Sequence, residues 1–205
     1  MLHQHHLQER PEIDESRQGP SETDLRQWIE RMSAGDSGGL ELIFEAMYTP
    51  LCAFAQTFVR SSAGAEDIVG DMFLKLWTHR ERIHVRGMVR NYLYMAVRNT
   101  AITQINRTRR EGRYIESYPA SAEAQQAPMR NEAEDRLQLE TLSARVKEAI
   151  ELLPSRAQQT YVLYYQHDMS YAEIARVMGV SVKTVENQLA RALRLLWARL
   201  EDLFQ

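Results

Sequence analysis

The chain of 205 residues has few of the residues that interrupt or cross-link a fold, with 9 glycines, 6 prolines and one cysteine. Because one cysteine cannot form an internal disulfide, a reducing compartment is the simpler expectation. Cys52 lies in the apolar run 51–55, which predicts a small buried core residue rather than a reactive thiol. No run of 18 apolar residues is present, and the first residues lack the basic-then-apolar order of a signal peptide. We therefore expect a cytoplasmic protein without a membrane span.

The signatures of catalysis and of metal binding are also lacking. The sequence contains no Gly-rich phosphate loop, no Ser/His/Asp set, no HExxH motif and no cysteine cluster. His79, His84 and His167 are scattered along the chain, which predicts surface residues. We therefore expect no catalytic residue, no metal ligand, no cofactor and no small-molecule substrate. A helical enzyme or metal protein is the remote alternative.

The amino-acid composition favours a soluble helical protein. Apolar residues make up 44% and charged residues 26% of the chain. Long segments rich in Leu, Ala, Glu, Arg and Gln favour helix, and no alternating strand pattern occurs. The net charge is −3, but the segment 80–113 has a local net charge of +7 and the segment 114–142 one of −4. This division suggests a nucleic-acid-binding face beside an acidic linker.

The pattern predicts an all-α fold of two small helical domains joined by a flexible linker. Residues 1–20 have no helical period and are expected to form a disordered tail. Residues 21–110 form the first module, and residues 132–205 form the second. Between them, residues 111–131 carry two prolines and no apolar stripe, as in a linker.

In the first module, Ser21 and Asp24 fit a capping box that begins a helix. The glycines at 35, 38 and 39 are expected to break the chain, and Pro50 is expected to kink the next helix. A third helix begins near Ala65, and a fourth runs from Met88 to about Arg109. The third helix should turn one apolar face inward, namely Ile68, Val69, Met72, Phe73 and Leu76.

In the second module, a helix is expected to begin at a capping box formed by Ser155 and Gln158. Ser170 and Glu173 form a further capping box that starts a short helix, which Gly179 ends in a sharp turn. Ser181 then caps a longer helix. The inner face of this longer helix is expected to comprise Val182, Val185, Leu189, Leu193 and Leu196. This arrangement is typical of a DNA-binding helix-turn-helix, because capping, turn and core positions agree.

The second helix of this motif carries polar residues at its start, where a recognition helix meets base edges. Lys can donate to guanine, Asn can pair with adenine, and Glu can accept from cytosine. The outward-facing residues are Lys183, Thr184, Glu186, Asn187, Gln188 and Arg191. Exposed polar residues are also what any soluble helix needs, and a structural helical hairpin is the alternative interpretation.

Three motifs in order resemble the sigma-70 family of RNA polymerase sigma factors, in the extracytoplasmic-function (ECF) group. The segments 65–69 (AEDIV) and 71–77 (DMFLKLW) resemble its polymerase-binding helix. The segment 92–99 (YLYMAVRN) is similar to its promoter-melting helix. Leu152-Leu-Pro154, with the helix-turn-helix that follows, is similar to its promoter-reading domain, and the segment 181–187 (SVKTVEN) resembles the Bacteroidetes branch.

The resemblance implies a sigma factor that binds core RNA polymerase and promoter DNA. The first domain would dock on the clamp helices of the largest catalytic subunit, and an anti-sigma factor is an expected partner. The residues implied in polymerase binding are Glu66, Asp67, Asp71, Phe73 and Trp77. Gly70 stands where the family usually has Gln, which removes a side chain from this face.

The resemblance also implies two promoter contacts. The basic segment 80–113 would hold the −10 element, and the loop from Arg82 to Met88 would capture a flipped base. The residues implied at the −10 element are Arg82, Arg86, Arg90, Tyr92, Tyr94, Arg98 and Asn99. Tyr92 and Tyr94 could stack on bases or pack in the core, with neither alternative preferred. The residues implied at the −35 element are Ser181, Lys183, Thr184, Glu186, Asn187, Gln188 and Arg191.

The strongest rival is a dimeric regulator with a C-terminal helix-turn-helix. Its sensing domain would precede the linker, but the first domain shows no signature of a ligand pocket. The basic fourth helix of this chain fits nucleic-acid binding better than ligand sensing.

Overall fold

A computed structural model of the chain describes residues 19–110 and 133–201. These two ranges form eight α-helices and one short 3₁₀ turn, and they contain no strand. The helices are α1 Glu22–Ser33, α2 Ser37–Val59, α3 Ser62–Thr78, α4 Val89–Arg110, α5 Ala133–Glu151, α6 Ser155–Tyr165, α7 Tyr171–Met178 and α8 Val182–Leu200. The predicted all-helical fold is confirmed, whereas residues 1–18 of the predicted tail (residues 1–20) and the predicted linker (residues 111–131) lie outside the described residues.

The start of the first module follows from local capping. Ser21 accepts a hydrogen bond from the Asp24 backbone N–H, and the Asp24 side chain accepts from the Ser21 backbone N–H, each at 3.1 Å. This capping box confirms the predicted start of α1. Asp36 caps α2 by accepting from the Gly38 backbone N–H.

The prediction that Gly38 and Gly39 break the chain was wrong, because both lie in the first turn of α2. Of the three glycines, only Gly35 lies in the turn, with φ +94°. A Cβ atom at position 39 would approach the Trp28 carbonyl oxygen to 2.5 Å and the Met32 backbone nitrogen to 2.7 Å. The absence of a side chain at Gly39 therefore allows α2 to pack closely against α1.

Helix α2 is central to the first module and runs through Pro50 as one helix. Among the described residues, it is the one helix with the length and apolar character that a membrane span requires. It contacts α1, α3, α4 and α6, and it buries residues such as Ile43, Leu51 and Phe54. In this structure α2 is thus a core helix. Cys52 on this helix is only half-buried, and burial raises the pKa of its thiol.

The second module contains the predicted helix-turn-helix. Ser170 and Glu173 form the capping box of α7, Gly179 has φ +65°, and Ser181 caps α8 through the Thr184 backbone N–H at 3.1 Å. These three predictions are confirmed. The expected inner position of Val182 was wrong, because its side chain is 42% exposed at the first position of α8.

The capping box predicted at Ser155 was also wrong. Pro154 occupies the N-cap position of α6, and no side chain caps this helix. Ser155 is instead the first helical residue, so its hydroxyl is not placed to cap the helix.

The two modules share one hydrophobic core. A single cluster of buried residues combines side chains of α1 to α4 with side chains of α6, α7 and α8. The members from the second module are Leu163, Met169, Ile174, Ala175, Val177, Met178 and Val185. A smaller cluster joins α5, α6 and α8. The contacts between modules run from α7 to α4 and from α6 to α2.

Candidate nucleic-acid and partner interfaces

The start of α8 presents an exposed polar edge. Lys183, Asn187 and Arg191 are exposed and follow one another at intervals of four residues, so they lie on one face of the helix. The opposite face is anchored by Val185 and Leu189, which are each 1% exposed. The predicted recognition helix is therefore held by its apolar side with its polar side turned outward.

Hydrogen bonds order part of this polar edge. The Lys183 ammonium donates to the Glu186 carboxylate at 2.9 Å, and the Ser181 and Thr184 hydroxyls lie 2.9 Å apart. Thr184, Glu186 and Gln188 are partly buried. Lys183, Asn187 and Arg191 are therefore the accessible polar side chains of this edge.

Helix α4, the predicted promoter-melting helix, is covered on one face by the helix-turn-helix module. Tyr94 is 1% exposed, and its ring lies 5.3 Å from the Phe54 ring of α2 and 5.0 Å from the His167 ring. His167 belongs to the connection between α6 and α7. Of the two alternatives for Tyr94, the structure shows core packing, so Tyr94 offers no stacking surface in this arrangement.

Polar groups are enclosed in the same contact. Asn91 is 5% exposed and lies near the Glu173 carboxyl of α7. Burial acts to raise the pKa of that carboxyl, but the hydrogen bonds from Ser170, with a smaller effect from the Asn91 amide, lower it overall. Neither amide atom of Asn91, however, forms a hydrogen bond within the described protein. The contact between α4 and α7 thus encloses a polar group without fully satisfying it, which costs free energy.

His167 was predicted to be a surface residue, but it is partly buried in the contact between the modules. Burial, with a smaller effect from the Arg90 guanidinium, lowers the pKa of His167 to about 4. Its Nε2 atom is buried without a hydrogen-bond partner in the described protein. His167 is therefore an uncharged residue of the contact between the modules at neutral pH.

The remaining candidates at the basic segment are divided between exposed and anchored side chains. Arg82, Arg86 and Asn99 are exposed, whereas Tyr92 is half-buried and burial raises its pKa. Arg90 is partly buried and donates to the Pro20 carbonyl oxygen at 3.1 Å.

Arg98 connects α4 to the turn of the helix-turn-helix. It is partly buried, and its Nη2 atom would lie 3.8 Å from a Cβ atom placed at Gly179. The turn therefore restricts access to Arg98.

The predicted polymerase-binding helix, α3, has an exposed acidic face. Glu66, Asp67 and Asp71 are exposed, and Gly70 has open space around its Cβ position. Phe73 is 6% exposed and packs against Phe44 with ring centroids 5.1 Å apart. Phe73 is therefore a core residue and does not belong to a docking surface.

Sequence reasoning missed Leu74 on the same face. Leu74 is 64% exposed and lies three to four residues after Gly70 and Asp71, so it is adjacent to them on the helix surface. Trp77 is partly buried beneath the Arg80 guanidinium, which lies 4.4 Å from the ring centroid. The apolar residue best placed beside the acidic side chains is Leu74.

Comparison with known families matches both modules in chain order. Residues 43–111 match Sigma-70 region 2, and residues 143–196 match Sigma-70, region 4. These matches contain α3 and α4 in the first module and the helix-turn-helix in the second.

Three curated proteins are similar to the chain. It is 25% identical over 168 residues to the probable RNA polymerase sigma factor RfaY of Xanthomonas campestris, covering 82% of this chain and 42% of that protein. It is 27% identical to the ferric citrate uptake sigma factor FecI of Escherichia coli, covering 74% of this chain and 87% of that protein. It is 22% identical to the ECF RNA polymerase sigma factor SigW of Bacillus subtilis, covering 87% of this chain and 98% of that protein. The chain thus spans less than half the length of the first of these relatives and most of the length of the others.

Two solved structures show the same fold at 21% sequence identity. One is CnrH in complex with the cytosolic domain of CnrY, with a TM-score of 0.59. The other is the sigma factor RpoE of Bartonella quintana in complex with the anti-sigma factor NepR, with a TM-score of 0.56. Each comparison covers 87% of this chain and 98% of the known one.

The chain belongs to the sigma-70 family of RNA polymerase sigma factors. Within that family it is a member of the extracytoplasmic-function group. The Bacteroidetes branch stays a prediction.

The enclosed His167 predicts a pH-dependent stability. Its folded-state pKa is about 4 and its unfolded value is about 6.5, so only the unfolded state takes up the proton as the pH falls between these values. From pH 7 to pH 5 this linkage should lower the free energy of unfolding by about 2 kcal/mol. His167→Gln should remove that part of the pH dependence, as measured by urea denaturation at both pH values. Equal pH dependence in the two proteins would show that His167 is not buried as described.

Proposed function

We propose that the chain is a sigma factor that directs sequence-specific transcription initiation by core RNA polymerase, and that it is not itself an enzyme. One observation carries this proposal, namely an anchored helix-turn-helix with an exposed polar edge in a chain that matches both sigma regions in order. The core polymerase would supply catalysis, and this chain would supply promoter choice.

The −35 element would be read by the start of α8. The N-terminal residues of a recognition helix enter the major groove, where Asn can form two hydrogen bonds with adenine. The exposed Asn187 suits this role, and Arg191 lies one turn further along the helix, where a phosphate contact is the expected one. The predicted set for this element comprises Ser181, Lys183, Thr184, Glu186, Asn187, Gln188 and Arg191.

The −10 element would be held by the loop from Arg82 to Met88 and by α4. Arg82, Arg86 and Asn99 are exposed and can meet DNA in the described arrangement. Tyr94 and Arg98 face the helix-turn-helix module, so DNA could reach them only after α7 leaves α4. We therefore propose that the two modules separate when the chain engages a promoter, with the linker over residues 111–131 as the tether.

Core polymerase would dock on the acidic face of α3. Glu66, Asp67 and Asp71 would pair with basic groups of the clamp helices, and Leu74, one turn further along the same face, would bury its apolar side chain against those helices. This face is exposed while α7 covers α4, so polymerase binding does not require prior separation of the modules.

An anti-sigma factor is a proposed regulatory partner. RpoE of Bartonella quintana, to which the chain is similar in fold, was solved in complex with the anti-sigma factor NepR. We propose a cytoplasmic location, where core polymerase and DNA are available.

The recognition helix is tested by transcription of a genomic fragment library with core polymerase and the purified chain. Wild type should initiate at a defined set of promoters, and Asn187→Ala should change the preferred base at one −35 position. Arg191→Ala should instead weaken binding to all promoters about equally and reduce its salt dependence, because a phosphate contact carries no sequence information.

Initiation that does not depend on the added chain would refute the proposed function. Unchanged promoter sets and affinities with both variants would refute only the recognition-helix assignment. Stand-alone operator binding as a dimer would favour the rival regulator.

The polymerase-docking face is tested by Asp67→Asn combined with Asp71→Asn. Loss of two charges should weaken binding to core polymerase at least tenfold, since charged pairs across an interface are often worth more than 1 kcal/mol. Leu74→Ala should weaken the same binding, whereas Glu41→Gln, an exposed position on α2, should leave it unchanged. Circular dichroism should show the same helix content in all variants. Co-purification of the double variant at wild-type affinity would place the docking face elsewhere.

A further inference from the structure

Helix α4 begins without a capping side chain of its own. The residue before Val89 is Met88, whose side chain carries no oxygen atom that could accept a hydrogen bond from the first backbone N–H groups. These N–H groups lie at the junction of α4 with the loop from Arg82 to Met88. A cap must therefore come from another part of the chain.

That cap comes from α1. The Glu22 Oε1 atom accepts a hydrogen bond from the Val89 backbone N–H at 2.5 Å, and its Oε2 atom lies 3.4 Å from the Arg90 backbone nitrogen. A carboxylate at this position also interacts favourably with the positive end of the helix dipole. Glu22 is separated from Val89 by 67 residues in the sequence, so the contact joins two distant segments.

Arg26, one turn after Glu22, holds the loop itself. Its Nη2 atom donates to the Gly87 carbonyl oxygen at 2.5 Å and lies 3.5 Å from the Glu22 carboxylate. Gly87 has φ +92°, a conformation that favours glycine, and the chain bends at this residue, which Arg26 contacts. Glu22 and Arg26 together fix both the exit of the loop and the first turn of α4.

Other parts of the loop are oriented by packing. Ile83 and Val85 pack against the hydrophobic core, whereas Arg82, His84 and Arg86 are exposed. The loop therefore presents its charged side chains outward from a backbone that is anchored at both sides.

We propose that Glu22 and Arg26 are positioning residues for promoter melting. They hold the loop from Arg82 to Met88 and the start of α4 in the conformation that receives the separated strand of the −10 element. This inference rests on the proposed function, and it assigns to α1 a part in melting that is distinct from polymerase docking and from −35 recognition.

The test uses holoenzyme formed with core polymerase and the strongest promoter recovered from the fragment library. Permanganate reactivity of unpaired thymines reports the rate at which the promoter opens. Glu22→Gln should slow opening about fivefold, the factor that corresponds to loss of a typical helix cap. Its affinity for core polymerase and for a duplex carrying only the −35 element should stay within about twofold of wild type. Arg26→Gln should also slow promoter opening.

Two further variants separate positioning from a general loss of structure. Glu30→Gln removes an exposed carboxylate from the same helix and should open promoters at the wild-type rate. Met88→Ser, added to Glu22→Gln, supplies a local capping hydroxyl and should restore most of the lost rate. In the unbound protein, amide hydrogen exchange at the start of α4 should be faster in Glu22→Gln and slower again in the double variant.

The outcomes distinguish the inference from the function on which it rests. If wild-type holoenzyme opens no promoter, the proposed function fails and the inference fails with it. If wild type opens promoters and Glu22→Gln opens them equally fast, only the inference fails. An equal loss of polymerase affinity, −35 binding and opening in Glu22→Gln would also overturn it, because such a loss indicates misfolding rather than positioning.

Discussion

The packing of the helix-turn-helix module on α4 is the constraint on which the rest of the structure depends. Helix α4 uses one face to complete the core of the first module, where Leu93 and Val97 are fully buried. It uses another face to receive α7 and His167. Burial of one large apolar side chain stabilises a fold by about 1.5–3 kcal/mol, so a contact that also encloses Tyr94 and Val177 is substantial. The surface proposed to hold melted DNA is therefore also a surface on which the unbound chain depends for stability.

The same contact is imperfect in its polar groups. Asn91 and His167 are enclosed with buried side-chain atoms that lack hydrogen-bond partners in the described protein. Burying a polar group without a partner typically costs about 1–3 kcal/mol. Apolar burial thus holds the modules together while the enclosed polar groups weaken the contact. This balance would let a competing ligand such as DNA separate the modules.

Not all of the proposed interfaces are covered in this arrangement. The acidic face of α3 and the polar edge at the start of α8 are both exposed. Docking on polymerase is therefore compatible with the packed modules, whereas access to Tyr94 is not. The proposed polymerase contact can therefore form before α4 becomes accessible.

Local signals in the sequence predicted the features that depend on neighbouring residues. Sequence alone predicted the capping boxes at Ser21 and Ser170 and the turn at Gly179, because each involves residues only a few positions apart. The sequence did not predict the burial of His167, because it depends on contact with Tyr94, which is distant in the sequence. Phe73 and Leu74 show a further limit, since periodicity alone did not reveal which apolar side chain of α3 stays exposed.

Contacts between segments far apart in the sequence were the features that were hardest to predict. Nothing local marks Glu22 as the cap of α4, because the position it serves is 67 residues away. Gly39 similarly resembled a chain break until its close approach to the backbone of α1 was seen. The sequence therefore predicted the helices and the helix-turn-helix better than the surfaces on which the helices meet.

The central claim, that the modules are packed together before promoter binding and separate upon it, is tested most directly by a distance measurement. Spin labels would be placed at the exposed positions Thr49 in α2 and Lys147 in α5, in a chain carrying Cys52→Ala. Electron–electron double resonance should give one narrow distance distribution in the unbound protein and a longer distance in the promoter complex with polymerase. A distance that stays the same in a transcriptionally active complex would contradict the account.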